Sequence, residues 1–188
     1  AADYAAVARK CEILCERLAR AESAALVFEK GHEVVFDLRF RVAKADDGQC
    51  RAPGRVINLP SGETFIVPYE GERAGEPSRT RGDIPVGRDG HTAVLRVEAN
   101  RIVAIEGGGP LGAQLQALFD ADPARRNVAE LGLGCNDRAI VTGNVLEDEK
   151  AGLHWAYGRS GHLGGTVGPE HFLKPENVLH HDIVYARG

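Results

Sequence analysis

From residue 3 to about residue 25, Tyr4, Val7, Ala8, Cys11, Leu14, Cys15 and Leu18 recur at the three- and four-residue spacing of one helical face. Arg9, Lys10, Glu12, Glu16 and Arg17 fall on the other side, so the pattern predicts an amphipathic helix with Asp3 as its N-cap. The period then changes to two. Val34, Phe36, Leu38, Phe40 and Val42 alternate with Val35, Asp37, Arg39 and Arg41, as in a half-buried strand, and Asp46-Asp47-Gly48 supplies a turn after it. Residues 64–67 predict another strand that stops at Pro68, and residues 70–90, rich in Gly, Arg, Glu and Pro, read as a long loop. Residues 92–97 and 101–106 flank Glu98-Ala99-Asn100 as the arms of a β-hairpin. Gly107-Gly108-Gly109 lacks the Lys-Ser/Thr ending and the GxGxxG spacing of phosphate loops, and reads as a hinge into a helix. That helix carries Leu111, Leu115, Leu118 and Phe119 on one side and ends at Asp122-Pro123. After residue 125 glycines break the apolar runs, and no helix longer than about three turns is expected.

Strands joined by hairpins and loops rather than by alternating helices predict an α+β domain. Its sheet should be curved and mainly antiparallel or mixed, a barrel-like cylinder with two or three flanking helices. The 188 residues, 43% of them hydrophobic and 27% charged, suit a single globular domain over residues 1–188. A formal charge of -4 provides no field for a phosphate backbone, so nucleic-acid binding is not expected. No apolar run approaches the roughly 18 residues of a membrane span, and the first 25 residues are too charged for a secretory signal. The four cysteines have no CxxC spacing and read as inert thiols of a reducing cytoplasm. The absence of methionine, even at position 1, suggests a segment of something longer that lacks an N-terminal domain.

Five of the seven histidines lie in the last third of the chain. On a strand, His154 shares a face with Ala156, while Leu153, Trp155 and Tyr157 take the other; if the bulky face is core, His154 points into a cavity. In the closing strand over residues 178–185, His180 and Asp182 share a face and His181 opposes them. An imidazole and a carboxylate two apart can converge on one ion, or simply form a hydrogen-bonded couple. Glu130 interrupts an apolar strand-like run, where a carboxylate must face solvent or meet positive charge. Glu63 ends the Pro60-Ser61-Gly62 turn, and Glu149 sits in an acidic patch five residues before His154.

These blocks, Asn-Leu-Pro-Ser-Gly-Glu-Thr-Phe, Ala-Glu-Leu-Gly-Leu-Gly, Asp-Glu-Lys followed by His154, Gly-Gly, and a terminal His-x-Asp, together resemble the catalytic half of the M29 metallo-aminopeptidases, aminopeptidase T and aminopeptidase S. The resemblance runs over nearly the whole chain. It implies two divalent ions, Zn, Co or Mn, held by Glu63, Glu130, Glu149, His154, His180 and Asp182, with Glu130 as the natural bridge between them. It further implies hydrolysis of the N-terminal residue of a peptide or small-molecule substrate by metal-activated water, with Glu63 or Glu149 shuttling the proton, and a cytoplasmic homodimer. Asp148 or a backbone carbonyl is the expected partner of the second His154 nitrogen. The family's tyrosine seven residues beyond the first histidine is Gly161 here, leaving Tyr157 or His162 as substitutes. Residues 168–177, with His171, read as a surface loop that could also line a substrate pocket. Two other functions share the pattern. Dihydroxypyridine ring-opening dioxygenases resemble the same family but use one Fe(II), for which His154, His180 and Asp182 would form a facial triad. A non-catalytic binding domain that has lost its tyrosine is the third.

Overall fold

A computed structural model describes residues 2–54 and 56–185. The described residues fold as two open, five-stranded antiparallel sheets with three α-helices, which is the expected α+β class; neither sheet closes on itself, and the arrangement is compatible with a curved sheet. The first sheet orders β1 (Ser23–Val27), β2 (Glu33–Asp37), β5 (Arg81–Arg88), β6 (His91–Glu98) and β7 (Arg101–Gly107) side by side. The second runs β10 (His180–Tyr185), β9 (Leu153–Gly158), β8 (Val128–Gly134), β4 (Glu63–Ile66) and β3 (Lys44–Asp46).

The opening helix α1 (Tyr4–Arg20) starts where expected, Asp3 accepting hydrogen bonds from the Ala5 and Ala6 amides. It stops five residues short of the periodic pattern, because residues 23–27 pair with β2 as strand β1. The β2 alternation also ends early. Val34, Phe36 and Leu38 are buried, but Phe40 turns out with φ 63° and Val42 is 77% exposed. The larger departure is β5, an eight-residue strand inside the expected long loop. Pro85 survives there because it pairs with Val94 while its carbonyl turns away from β6 to accept from the Tyr185 hydroxyl, 2.7 Å away. The nitrogen of a strand residue points to the same side as its carbonyl, so the missing N–H costs no bond to β6. The β6–β7 hairpin turns through Ala99 and Asn100, both left-handed, as a two-residue connection requires. Helix α2 (Gly109–Asp120) follows the glycine hinge, where a Cβ on Gly108 would lie 2.6 Å from that of Ala93. After it the one α-helix among the described residues is the seven-residue α3 (Val145–Ala151).

One core joins the layers. Phe36, Ile84, Leu95 and Ile102 from the first sheet meet Leu131, Trp155 and Tyr157 from the second, with Leu115 and Phe119 of α2. Each such side chain contributes about 1.5–3 kcal/mol by leaving water. Trp155 and Tyr157 thus fix which face of β9 is core. Among the described residues no helix is long and apolar enough to cross a membrane.

Candidate metal centre

The second sheet assembles the site through its register. Glu63 lies opposite Gly134, Phe65 opposite Gly132, and Gly132 opposite His154; Glu130 lies opposite Ala156, Ala156 opposite Asp182, and Gly158 opposite His180. Cross-strand partners share a face, as do residues two apart, so Glu63, Glu130, His154, His180 and Asp182 all stand on the face away from Trp155. Small residues alternate with them. A Cβ on Gly132 would lie 1.8 Å from His154 Nε2, so only glycine leaves room for that imidazole. At the entry to β4, Gly62 has φ 124° and its Cβ would sit 2.8 Å from that of Asn136, so the turn that aims Glu63 also depends on glycine.

Glu130 reaches this face only through a bulge. Val128 pairs with Tyr157 on the core side, and unbroken alternation would turn Glu130 to the core as well. The register shifts between Val128 and Glu130, bringing Glu130 opposite Ala156 and leaving Leu131 to pack beside Trp155.

The carboxylates and imidazoles form a chain of contacts. His154, fully buried, places Nε2 3.3 Å from Glu63 Oε2 and 3.4 Å from Glu130 Oε1. His180 Nε2 lies 3.0 Å from the other Glu130 oxygen and 3.5 Å from Asp182 Oδ1. His180 Nδ1 is 2.7 Å from the Arg159 carbonyl; donating its proton there turns the Nε2 lone pair of the neutral ring toward the carboxylates. His154 differs: Nε2 and Nδ1 both lack a hydrogen-bond partner, as does Glu63 Oε2, although the charges are close enough to attract.

Charge follows this geometry. Burial opposes ionisation of Glu130, yet His154 and His180 together outweigh it and hold the carboxyl down at about 2. Burial likewise opposes the imidazolium at His154, and Glu130 and Glu63 overcome it, raising the ring to about 10. His180 is raised to about 10 against burial by Asp182 and Glu130. Glu149 is pushed up to about 7 by burial first and then by Glu63. A cluster that retains protons in this way is one that a dication can enter by displacing them.

The donors fit such an ion. Glu63, Glu130 and His154 offer ligand atoms all within 4.8 Å of one another, and so do Glu130, His180 and Asp182. This is close to the spread of donors around a cation bound at about 2.0–2.2 Å. The unpartnered His154 and Glu63 atoms are free to ligate such a cation. Glu130 belongs to both groups. Five of the six residues expected from the sequence meet here, while Glu149 lies in neither group and instead accepts a hydrogen bond from Lys150 at 2.9 Å. The face opens into a cleft of about 580 Å³ that Glu149 and Lys150 also line, with Phe65, Leu146 and Leu163 supplying apolar surface.

Other expected residues stand elsewhere. Asp148 accepts from the amides of Thr142 and Gly143 and does not orient His154. Tyr157 packs against Phe119 in the core and cannot stand in for a site tyrosine, whereas His162 meets His180 edge-on at 4.9 Å and lines the cleft. His171 accepts from the Gly168 amide and its segment does not line this cleft. Two residues escaped the sequence reading. Buried Lys150 bonds Glu63, and Glu70, half-buried as a residue, ties down the loop before and after His162, accepting from Ser160 Oγ and from Thr166 N and Oγ1. Glu70 follows Pro68-Tyr69 among polar residues with nothing local to mark it; the lysine next to Glu149 in Asp-Glu-Lys was the available signal for Lys150.

Similarity to solved proteins follows the same division. The wild-type AmpT of Thermus thermophilus, an M29 aminopeptidase, shares the fold with a TM-score of 0.65 at 19% identity, over 95% of this chain and 47% of that one. The 2,5-dihydroxypyridine dioxygenase of Pseudomonas putida KT2440 gives a TM-score of 0.63 at 20% identity, over 85% of this chain and 51% of that one. The chain therefore spans about half the length of these two proteins. No curated protein sequence matches it. The family described as NicX, 2,5-dihydroxypyridine 5,6-dioxygenase, matches residues 3–186, and the chain belongs to that family.

Proposed function

We propose that this chain is the metal-binding part of a ring-opening dioxygenase acting on a dihydroxylated pyridine-type ring, with one Fe(II) held by His154, His180 and Asp182. The observation that supports this reading is the family match over residues 3–186, to which the structure adds imidazole and carboxylate donors on one sheet face at a cleft. His180 and Asp182 already share a group, and His154 stands across Glu130 from them. Ferrous iron, when bound, supplies the activation of dioxygen that a closed-shell aromatic ring needs. The protein's own groups do the rest. Phe65, Leu146 and Leu163 receive the flat apolar faces of a ring, and the cleft volume is within the usual range for small-molecule sites. Glu149, with its carboxyl near 7, is placed to take the proton of a ring hydroxyl on binding and to return it to the opened product. The test is anaerobic reconstitution with Fe(II) followed by oxygen-electrode assays on 2,5-dihydroxypyridine. Oxygen uptake matched by loss of the ring chromophore is expected, and iron binding without uptake argues against the reading.

A second reading has its own support. Two three-residue groups sharing one carboxylate are the arrangement of a bridged two-metal hydrolase, and AmpT has the same fold. Release of chromophore from aminoacyl anilides with Zn, Co or Mn, and no oxygen uptake with iron, would favour the aminopeptidase, with Gly161 in place of the tyrosine.

A further inference from the structure

After β9 the chain folds back on itself in a closed loop over residues 159–168. The Ser160 and Gly161 amides both donate to the Val167 carbonyl at 3.0 Å, and the Gly165 amide donates to the Ser160 carbonyl at 3.1 Å. A Cβ on Gly165 would lie 2.3 Å from Ser160 Oγ, so glycine is what lets the two arms touch. Glu70 binds both arms from outside the loop. Its side chain is only 4% exposed, and burying a carboxylate is costly unless donors surround it. Here Ser160 Oγ and Asn127 Nδ2 donate to one oxygen, and the Thr166 amide, the Thr166 hydroxyl and Arg41 to the other. The tip that this clamp holds presents His162 to the cleft, its ring edge-on to His180 at 4.9 Å. Among the described residues neither nitrogen of His162 has a hydrogen-bond partner, and the residue belongs to neither ligand group. The charged groups around it are already engaged: Glu130 and Asp182 with His180, Glu63 and Glu149 with Lys150. A hydrogen-bonding ring therefore stands beside the metal centre, rigidly held and without a protein partner.

We propose that His162 is a substrate-contacting residue of this centre, hydrogen bonding through a ring nitrogen to a hydroxyl or ring nitrogen of a small hydroxylated N-heteroaromatic, and that Glu70 is the positioning residue that holds it there. This rests on the one-iron reading above. A neutral imidazole carries one donor and one acceptor nitrogen, so it can pair with either polar group of such a ring. Fixing the loop in advance spares the substrate the cost of ordering it on binding, which is the work assigned to Glu70.

The probe is 2,5-dihydroxypyridine, titrated calorimetrically without oxygen, so that no turnover intervenes, into Fe(II)-loaded wild type, His162→Ala, His162→Gln, Glu70→Ala and the double alanine variant. Elemental analysis should find the same iron content in all of them. His162→Ala should bind the ring about 3- to 10-fold more weakly, the range of one neutral hydrogen bond. His162→Gln, which keeps a donor and an acceptor, should recover most of that loss. Glu70→Ala should also weaken binding, and the double variant should be no weaker than His162→Ala, because Glu70 acts through His162. Equal binding by wild type and His162→Ala overturns the proposal and leaves the one-iron reading standing, and loss of iron from His162→Ala overturns it by making His162 a ligand. Additive losses in the double variant overturn the role of Glu70. A wild type that takes up no iron, or binds iron but not the ring, overturns both the proposal and the reading beneath it. Should Glu70→Ala fail to fold, Thr166→Val cuts one tether of the loop and serves the same comparison.

Discussion

Gly132→Ala tests the site through one methyl group. Gly132 has no positive φ, so the backbone accepts alanine, and the effect is confined to the side chain. The new Cβ would lie 1.8 Å from His154 Nε2, 2.2 Å from Cε1 and 2.5 Å from Cδ2. Ordinary contact begins at about 3.4 Å, so the imidazole must retreat by roughly 1.6 Å. His154 is fully buried and has nowhere to go without displacing Glu63 or Glu130. Overpacking of this kind costs about 1–3 kcal/mol, partly offset by the roughly 0.4–1 kcal/mol that Gly→Ala gains from the unfolded chain. Urea denaturation of stripped protein should therefore show a net loss of about 0–2.5 kcal/mol, combining those two ranges. Metal binding should suffer far more. Bound ligands keep within about 0.2 Å of their distances, so a shift of this size removes His154 as a donor. Loss of an outer-shell partner alone typically weakens a site 10–100-fold, and losing the ligand itself should exceed that in a calorimetric titration. Wild-type affinity in Gly132→Ala would refute the placement of His154 in the centre.

With one ion on His154, His180 and Asp182, Asp182→Ala should abolish iron uptake; with two ions bridged by Glu130, Glu130→Ala should abolish uptake of both while Asp182→Ala spares the Glu63–His154 side, and elemental analysis separates the two. In stripped protein Glu130→Ala removes one of two carboxylates from each imidazolium, leaving Glu63 beside His154 and Asp182 beside His180, and should cost about 1.5–3 kcal/mol by urea denaturation, no loss contradicting the pairing. The pH dependence has a definite sign. With His154 and His180 raised from 6.5 to about 10, their stabilisation of the stripped fold is complete below 6.5 and lost as pH climbs through 10. Glu130, lowered from 4.5 to about 2, contributes above 4.5 and ceases to do so as pH falls through 2; these describe the same ion pairs, so chemical denaturation should show a plateau between about 4.5 and 6.5. Metal affinity runs the other way, rising with pH, and titrations near pH 7 in buffers of different ionisation enthalpy should report about two protons released per ion bound by both histidines; none released would contradict their charged state. Glu70→Ala removes the acceptor that holds Ser160 and Thr166, and should make the 160–167 amides exchange faster while leaving metal content unchanged.

The sequence by itself determined the elements with a clean period: α1 with its Asp3 cap, the β6–β7 hairpin, α2 after its glycine hinge, and the pairing of His180 with Asp182 on one strand face. These depend on contacts within a few residues, which spacing records directly. Ordered motif blocks likewise single out Glu63, Glu130 and His154 as candidates, and the sheet brings their ligand atoms within 4.8 Å of one another. Other features were decided only by tertiary structure. Strand β5 is held by pairing with β6 from Gly82 to Arg88, which outweighs its glycines and proline. Glu130 turns toward His154 through a bulge, and a bulge is a relation between two strands that the Val128-Ala129-Glu130-Leu131 run cannot encode alone. Lys150 closes the charged run Glu147-Asp148-Glu149-Lys150, and only the packing of α3 on Gly134 buries it against Glu63, 87 positions away in the chain. The physical reason is common to all three. Local periodicity reports which face a residue takes within its own element, while partners from distant segments decide whether that face meets solvent, core or charge.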